Sequence, residues 1–347
     1  MRALSTPVQG ASRRARRRWL HGVLTLASIA LIAAAGVVLY RMLHDLEIAR
    51  VTAAVSGMSW PRIAVAAAFV AGSYSMLTLY DYFALRTLGF TGIGYATAAL
   101  GGFASYAIGH NVGATTLTAG AVRYRIYAPH GLDALAVAKL CAVAGLTFWL
   151  GNAAMLGVGI ALHPEAASAI DRLPEDVNRA AAIALLAVLA LYTRWVWRGT
   201  RLVGNREISI VLPGGPSTLL LIGIGAADLT CSAMAFYALA PVGYDGGPTR
   251  LAVVFVCATL LGFASHAPGG IGVFDAAMLL GLPDVDRAEL VAALVVFRVL
   301  YYLLPLALAL GLIAVREALL FSRGLRLRAR HRYRSAAIVS GDAGRQS

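Results

Sequence analysis

Residues 100–127 read LGGFASYAIGHNVGATTLTAGAVRYRIY, and the opening of this stretch returns at residues 260–272 as LLGFASHAPGGIG. Positions 102–109 and 262–269 are identical at six of eight residues, with a constant offset of 160 and no gap. Such a match indicates an internal duplication, even in a chain that contains 36 glycines. The sequence therefore predicts two related units.

The composition is that of a membrane protein. Of the 347 residues, 59% are hydrophobic and 14% are charged, and the mean hydropathy is +0.72. Soluble domains usually carry about 25% charged residues. A chain this poor in charge and this rich in apolar residues is therefore expected to lie in a lipid bilayer.

The net charge of +13 is concentrated near the two ends of the chain. Six arginines lie within residues 1–18 and seven within residues 316–334, and both clusters flank long apolar runs. This placement is typical of cytoplasmic anchors that also attract anionic lipid headgroups. It disfavours nucleic acid as a partner and favours membrane phospholipids.

No motif predicts a metal site, a cofactor or a catalytic centre. The three cysteines lie inside apolar runs without a CxxC spacing, and the seven histidines are scattered. Neither HExxH nor GxSxG occurs. We therefore expect no cofactor, no metal and no enzyme activity.

Six apolar runs are about long enough to cross ~30 Å of hydrocarbon. Residues 1–18 are expected to form a disordered basic segment, and residues 316–347 a basic cytoplasmic tail. The first run exceeds the 7–15 apolar residues of a signal peptide, so a retained helix is favoured over a cleaved leader. The predicted spans are residues 20–40, 61–85, 134–160, 180–198, 217–240 and 289–314.

Residues 91–121 and 251–281 form two further segments, each interrupted midway by Gly, Pro, Asn or His. Each is too long for one helix, and each half is expected to be too short to cross easily. Such segments suit re-entrant hairpins, whose bent backbone must be buried in protein or line a watery cavity. Two ordinary tilted helices per segment are the alternative.

The offset of 160 aligns these elements into two units of helix, helix, hairpin and helix, about residues 20–160 and 180–315. An odd number of crossings per unit inverts the second unit across the membrane. The predicted fold is an all-α integral membrane domain, residues 19–315, of two inverted repeats, each with three transmembrane helices and a re-entrant helical hairpin. Arginine-rich inner loops and acidic loops 162–179 and 282–289 predict an inner cell membrane protein with both termini cytoplasmic.

Two motifs point to a known family. GHNVGATTLTAGAVRYRIY followed by HGL, together with SHAPGGIGVFDAAMLL, resembles the flippase part of the lysylphosphatidylglycerol flippase/synthetases, and the resemblance covers about residues 19–320. It implies an integral membrane protein that moves aminoacylated or other phospholipids between leaflets. The chain ends soon after the last predicted span, so lipid aminoacylation is expected to fall to a separate enzyme. Asp275 stands where the wider family often has Glu.

Two alternatives remain open from the sequence. One is a membrane accessory protein that binds lipid or a lipid-modifying enzyme without transporting anything. The other is an enzyme that acts on polyprenyl or phospholipid headgroups. The lipid, the energy source and the oligomeric state are left open.

Candidate site residues cluster at the two interruptions. The glycines at these interruptions would let the backbone approach a lipid headgroup; the alternative is that they only permit close helix packing. The polar residues beside them would bind a headgroup; the alternative is that they form hydrogen bonds with backbone groups left unpaired by the interruption. These candidates are Ser105, Gly109, His110, Asn111 and Gly113 in the first segment, and Ser265, His266, Gly269 and Gly270 in the second.

Arg123 and Arg125 are further candidates, because guanidinium groups match phosphate bidentately. With a spacing of two residues, both side chains point in the same direction if the backbone is extended. On a helix they would diverge by ~200°. Positive-inside anchoring is the alternative role. Of the ionisable residues inside the predicted spans, Asp81 and Lys139 lie near span ends. Asp228, Asp275 and Arg298 are predicted to lie deeper, with the last two as an ion pair.

Overall fold

The computed structural model describes residues 48–112, 115–204, 209–241 and 243–319. This part of the chain is mainly helical, and six of its helices are long and apolar enough to cross a membrane. The predicted span 20–40, the basic segment 1–18, Gly113 and the tail from residue 320 lie outside the described residues.

The described helices follow one another with short connections. In chain order they are α1 Ile48–Ser56, α2 Trp60–Thr87, α3 Tyr95–Val112, α4 Thr115–Tyr127, α5 Ala134–Leu162, α6 Pro164–Asp171, α7 Glu175–Trp195, α8 Gly215–Leu239, α9 Gly247–Ala264, α10 Val273–Gly281 and α11 Arg287–Arg298. Short 3₁₀ turns occupy Ala128–His130 and Pro268–Gly270. The helix α11 continues through a π-helical turn, Val299–Leu303, to Leu319.

Local sequence sets the helix starts. Asp133 precedes α5 and accepts a hydrogen bond of 2.7 Å from the Ala136 N–H, which satisfies one free amide of the first turn. Asp286 does the same for α11, because its carboxylate accepts from the amides of Ala288 and Glu289. The helices α2 and α8 carry Pro in their first turn, where no intrahelical N–H is needed.

Five of the six predicted spans correspond to α2, α5, α7, α8 and α11. The remaining candidate span is α9, which forms the first half of the predicted hairpin 251–281. The expectation that each hairpin half would be too short is therefore wrong for this half. The helix begins at Gly247 rather than at residue 251 and reaches 18 residues.

Both interrupted segments break into two helices, as the sequence predicts. The helix α3 packs against α4, and α9 packs against α10. The second break adopts left-handed backbone at His266, Gly269, Gly270 and Gly272, a conformation that favours glycine. In the first segment α4 extends past the predicted limit of residue 121 to Tyr127.

A short antiparallel hairpin departs from the all-α prediction. Strand β1, Arg201–Gly204, pairs with β2, Ser209–Leu212, between α7 and α8. The β-branched residues in IVL at 210–212 favour extended backbone. The helix α6 likewise occupies part of the loop predicted at residues 162–179.

Helices α2 and α8 pack against each other, and both contribute residues to the core. The helix α2 contacts α3, α5 and α8, while α8 also contacts α5, α9 and α11. Small residues allow these approaches: a Cβ added to Gly151 of α5 would lie 2.6 Å from the Gly225 Cα of α8. Gly102, one of the duplicated glycines, faces the α2 backbone, where a Cβ would lie 2.8 Å from the Leu77 carbonyl oxygen. Close helix packing therefore explains part of the glycine content.

Candidate functional site

The candidate site lies where the two interrupted segments meet α2, α8 and the π-helical turn. The helix α3 contacts both the 3₁₀ turn Pro268–Gly270 and the turn Val299–Leu303. The polar groups of this region form two ion pairs, one hydroxyl–carboxylate cluster and one inter-segment amide contact.

The first ion pair joins Asp275 of α10 to Arg298 of α11 and confirms the pairing predicted from sequence. Arg298 Nη2 lies 2.7 Å from Asp275 Oδ2, and Nε donates to Oδ1 at 3.2 Å. Arg298 Nη1 also donates to the Gly269 carbonyl at 3.2 Å. The two side chains are 22% and 17% exposed, so the pair is only half-buried.

Asp275 also shapes the second break. Its Oδ2 accepts a hydrogen bond of 3.0 Å from the Gly272 N–H, at the start of α10. Gly270 packs against Gly262, since a Cβ added to Gly270 would lie 3.2 Å from the Gly262 Cα. The Asp275 carboxylate therefore links the unwound backbone at Gly272 to Arg298. The contact between Gly270 and Gly262 packs the break against α9.

The second ion pair joins Asp81 of α2 to Arg123 of α4. Arg123 Nη2 donates to Asp81 Oδ1 at 2.7 Å, and the Tyr127 hydroxyl donates to Oδ2 at 2.8 Å. The Asp81 side chain is 0% exposed, and the Arg123 guanidinium lies 5.0 Å from the centre of the Tyr106 ring. The sequence singled out Asp81 because it is a carboxylate inside an apolar run. Asp81 was then given little weight as a site residue, because it lies near the end of its predicted span.

Arg125 lies on the same helix as Arg123 but has a different environment. Its side chain is 71% exposed, and its Nη2 lies 2.7 Å from Glu317 Oε2. The helical backbone of α4 directs the two arginines apart, as a spacing of two residues requires. A phosphate clamp that uses both guanidinium groups is therefore wrong, whereas a binding role for either residue alone stays a prediction.

The third polar group surrounds Asp228 of α8, which is 3% exposed. Ser73 Oγ donates to Asp228 Oδ1 at 2.6 Å, and the Tyr80 hydroxyl donates to Oδ2 at 2.9 Å. Ser232 Oγ lies 3.0 Å from Ser73 Oγ and 3.2 Å from the Tyr301 hydroxyl. Sequence reasoning named Asp228 but none of its hydroxyl partners, because Ser and Tyr inside helices carry no distinct pattern.

The end of α3 joins the π-helical turn. Asn111 Nδ2 donates to the Tyr302 carbonyl at 3.0 Å and to the Ala107 carbonyl at 2.8 Å. The His110 ring stacks on Tyr301 at 6.2 Å between centroids. Among the described residues, the buried His110 Nδ1 has no hydrogen-bond partner.

The remaining candidates lie in the backbone of the breaks or inside α3. Ser265 Oγ donates to the Gly262 carbonyl at 2.6 Å and accepts from the Ala267 N–H at 3.1 Å, so it bonds freed backbone. His266 is exposed and has a φ of 56°. Ser105 and Gly109 are buried in α3, and the Ser105 hydroxyl has no hydrogen-bond partner within the described part of the chain.

The described residues of this site offer no metal centre. In residues 48–112, 115–204, 209–241 and 243–319, no group of three His, Cys, Asp or Glu side chains could hold a metal ion. Away from the site, an open groove of about 680 Å³ lies between α7 and α8, with Arg194 and Arg198 among its lining residues.

Comparison with known proteins finds similarity to an inner membrane protein, to an uncharacterized protein and, over a short segment, to an enzyme. No family model matches the chain. The chain is 29% identical over 270 residues to the uncharacterized protein slr0712 of Synechocystis sp. The matched region covers 77% of this chain and 83% of slr0712. The chain is also 26% identical over 217 residues to the inner membrane protein YbhN of Escherichia coli. That match covers 60% of this chain and 65% of YbhN.

A shorter match concerns a lipid-modifying enzyme. Over 59 residues the chain is 44% identical to the phosphatidylglycerol lysyltransferase of Staphylococcus epidermidis. This match covers 16% of the chain and only 7% of that enzyme. The chain is thus a mainly helical, multi-pass membrane protein that is similar to YbhN and, in one segment, to phosphatidylglycerol lysyltransferases.

Proposed function

We propose that the protein translocates phospholipids, aminoacylated or related, between the two leaflets of the inner membrane. The observation that carries this proposal is the half-buried Arg298–Asp275 pair, which is hydrogen-bonded to the unwound carbonyl of Gly269. It combines a charge pair, broken backbone and access from the surface within an otherwise apolar fold.

The chemistry of the pair suits a lipid phosphate. A guanidinium group binds carboxylate and phosphate in the same bidentate geometry, so a phosphate can take the place of Asp275 on Arg298. Ionisable groups at membrane depth are costly and usually mark a substrate path. The surrounding residues at the second break, His266, Pro268 and Ile271, are exposed, so a headgroup can reach the pair.

The proposed mechanism uses the duplication. The two interrupted segments act as re-entrant hairpins of two inverted repeats, with both termini in the cytoplasm. In transporters of that architecture the site lies at the repeat interface, and one repeat rocks against the other. The contact of α3 with both Pro268–Gly270 and Val299–Leu303 supports such an interface, because it brings the two segments together.

The substrate class rests on the similarity to phosphatidylglycerol lysyltransferases over 59 residues. In this proposal a separate lipid-aminoacylating enzyme supplies the lipid from the cytoplasmic leaflet, and the translocator exposes it on the other side. The retained alternatives are a lipid-binding accessory protein and an enzyme that acts on lipid headgroups.

The test is leaflet exchange in proteoliposomes that carry labelled lysyl-phosphatidylglycerol or phosphatidylglycerol. Wild-type protein should speed exchange over protein-free vesicles, and Arg298→Gln should slow it at matched folded yield. Arg50→Gln, which removes an arginine whose side chain is 66% exposed and which is not a candidate site residue, is the control and should exchange like wild type. Lipid binding without exchange would favour the accessory protein, and chemical change of the headgroup would favour the enzyme.

A further inference from the structure

Asp228 differs from the other two carboxylates at the candidate site. Asp81 and Asp275 each have an arginine within 2.7 Å. Asp228 accepts hydrogen bonds from the hydroxyl groups of Ser73 and Tyr80. Within the described residues no ion pair includes it. Asp228 is therefore a nearly fully buried carboxyl group with hydroxyl partners and no positively charged partner in the described part of the chain.

Such a group is suited to bind and release a proton. A buried carboxylate without a positive partner is costly, and neutralisation by a proton removes that cost. The hydroxyl partners suit both states, because a hydroxyl group can donate to a carboxylate or accept from a carboxylic acid. The 2.6 Å separation of Ser73 Oγ and Asp228 Oδ1 lies within the range of charge-assisted O–H···O bonds. The site can therefore hold either protonation state without rearranging its neighbours.

A chain of hydroxyl groups leads away from Asp228. Ser73 Oγ lies 3.0 Å from Ser232 Oγ and 3.3 Å from the Tyr301 hydroxyl. The His110 ring stacks on Tyr301 at the end of α3, beside the first break. Along such a chain each group passes on one O–H proton as it receives another, so a proton moves while no heavy-atom bond changes.

The groups that face Asp228 come from several packed elements. The titratable neighbours are Tyr74 and Tyr80 on α2, Tyr106 on α3, Tyr301 on the π-helical turn and Cys231 on α8 itself. His110 on α3 lies one layer away, stacked on the Tyr301 ring. Arg123 approaches through the Tyr106 ring, which contacts both its guanidinium group and the Tyr80 ring. Because that guanidinium is bound by Asp81, it does not serve as the counter-ion of Asp228.

We propose that Asp228 is the proton-binding site that couples lipid movement to a proton gradient, with the hydrogen-bonded hydroxyl groups of Ser73, Ser232 and Tyr301 as its path. This inference rests on the proposed translocation and adds its energy source. A proton fits better than a metal cation, because Ser73 and Asp228 touch directly and no three-ligand group exists among the described residues. Protonation then alternates with exposure of the site.

The first experiment imposes a pH gradient on proteoliposomes that contain the full chain and labelled lysyl-phosphatidylglycerol. Wild-type exchange should accelerate several-fold in one gradient direction and slow in the other. Asp228→Asn should exchange at one rate whatever the gradient. A sodium gradient applied at equal pH is the comparison. Acceleration by sodium and not by protons, or unchanged gradient dependence in Asp228→Asn, would overturn the proposal.

The second experiment does not need transport, so it separates the failure of this inference from failure of the proposed function. Infrared difference spectra of the purified protein, recorded between two pH values above about 5, where exposed Asp and Glu side chains stay ionised, report buried carboxylic acid groups. A protonated-carboxyl band that appears with falling pH should be absent in Asp228→Asn and present in Asp133→Asn, which changes an exposed helix cap. A band that persists in Asp228→Asn, or no band over the pH range of the folded protein, would contradict the inference.

A third variant covers the case in which Asp228→Asn does not fold. Tyr80→Phe keeps the ring and removes the hydroxyl group that donates to Asp228 Oδ2. The midpoint of the band should then move to higher pH, because the anion loses a hydrogen bond. Tyr82→Phe on the same helix, whose ring contacts Phe83 and Tyr95, should leave the midpoint unchanged. Equal midpoints in both variants would place the titrating group elsewhere.

Discussion

Asn111, in the last turn of α3, donates a hydrogen bond of 3.0 Å to the backbone carbonyl of Tyr302, 191 residues later in the chain. The acceptor lies inside a π-helical turn, where the i→i+5 pattern changes the usual pairing of carbonyl groups. A side chain at the end of α3 thus binds the backbone of the last described helix. This contact joins two parts of the chain that are far apart in sequence at the candidate site.

Asn111→Ala should destabilise the protein by about 1–3 kcal/mol, the usual cost of leaving a buried hydrogen-bonding group without a partner. Thermal unfolding in detergent measures the effect. Asn152→Ala is the matched control, since Asn152 donates to Phe148 four residues earlier on its own helix. We expect the control to lose less, and an equal loss in both variants would show that the hydrogen bond to Tyr302 adds nothing.

The ion pair of the second break predicts non-additive mutants. Asp275→Ala leaves Arg298 without its carboxylate, and breaking a buried pair costs about 3–5 kcal/mol. Because this pair is half-buried, we expect the lower end of that range, measured as folded yield and unfolding temperature. The double variant Asp275→Ala, Arg298→Met should recover part of the loss.

Glu317→Ala controls for the loss of ion pairs at the surface, because its partners are Arg125, which is 71% exposed, and the adjacent Arg316. Exposed pairs contribute about 0–1 kcal/mol, so this variant should unfold close to wild type. A double variant no more stable than Asp275→Ala would mean that the two residues act independently.

The two arginines of α4 should respond differently to lysine. Arg123→Lys keeps the charge but loses the two-pronged contact with Asp81, and hydrogen bonds to charged groups contribute about 1.5–3 kcal/mol. Arg125→Lys should change stability little, because the side chain is exposed. Unfolding temperatures of the two variants give the comparison. Equal temperatures would show that the buried geometry at Arg123 is unimportant.

The crossing of α5 and α8 predicts a steric effect at one glycine. Gly151→Ala places a methyl group 2.6 Å from the Gly225 Cα, so the helices must separate and the protein should be markedly less stable. Gly145→Ala on the same helix meets no atom within 4 Å and gains helix propensity of up to ~1 kcal/mol. Folded yield by size-exclusion chromatography reports both changes. If Gly151→Ala behaved like Gly145→Ala, the close crossing would be wrong.

Topology reporters test the proposed orientation of α7. A reporter inserted after residue 170, within the short helix α6, should read on the outer side. A reporter inserted after residue 203, in the hairpin between α7 and α8, should read on the cytoplasmic side. The arginines near the second position favour that side. The same side for both reporters would be incompatible with a single crossing by α7.

Hydropathy was sufficient to place most of the fold, because long apolar runs in lipid must satisfy their backbone as helices. It identified the positions of α2, α5, α7, α8 and α11 and the interruption of both hairpin segments. It missed the strands Arg201–Gly204 and Ser209–Leu212, since two four-residue strands leave little periodicity. It also left the π-helical turn undetected, because the residues at 299–303 are as apolar as ordinary helix.

The candidate site was only partly predictable. The pair Asp275–Arg298 could be inferred because both residues are rare in apolar runs and belong to neighbouring elements. The partner of Arg123 could not be chosen from sequence, because Asp81 lies 42 residues earlier and only tertiary packing brings them together. The partners of Asp228 could not be predicted for the same reason. Ser73 lies 155 residues before Asp228, and Tyr301 lies in the π-helical turn of the last described helix.

The π-helical turn Val299–Leu303 also affects the helix that follows it. A turn closed by i→i+5 bonds holds one residue more than an α-turn, so the side chains beyond it are rotated by about 100° relative to an uninterrupted helix. Tyr301 is 8% exposed inside this turn, whereas Leu303 and Leu304 are 55% and 47% exposed. Deletion of a single residue here would restore a regular helix and change the facing of every side chain after it. The one extra residue in this turn therefore decides which side chains of the last helix face outward when Tyr301 faces the buried polar cluster.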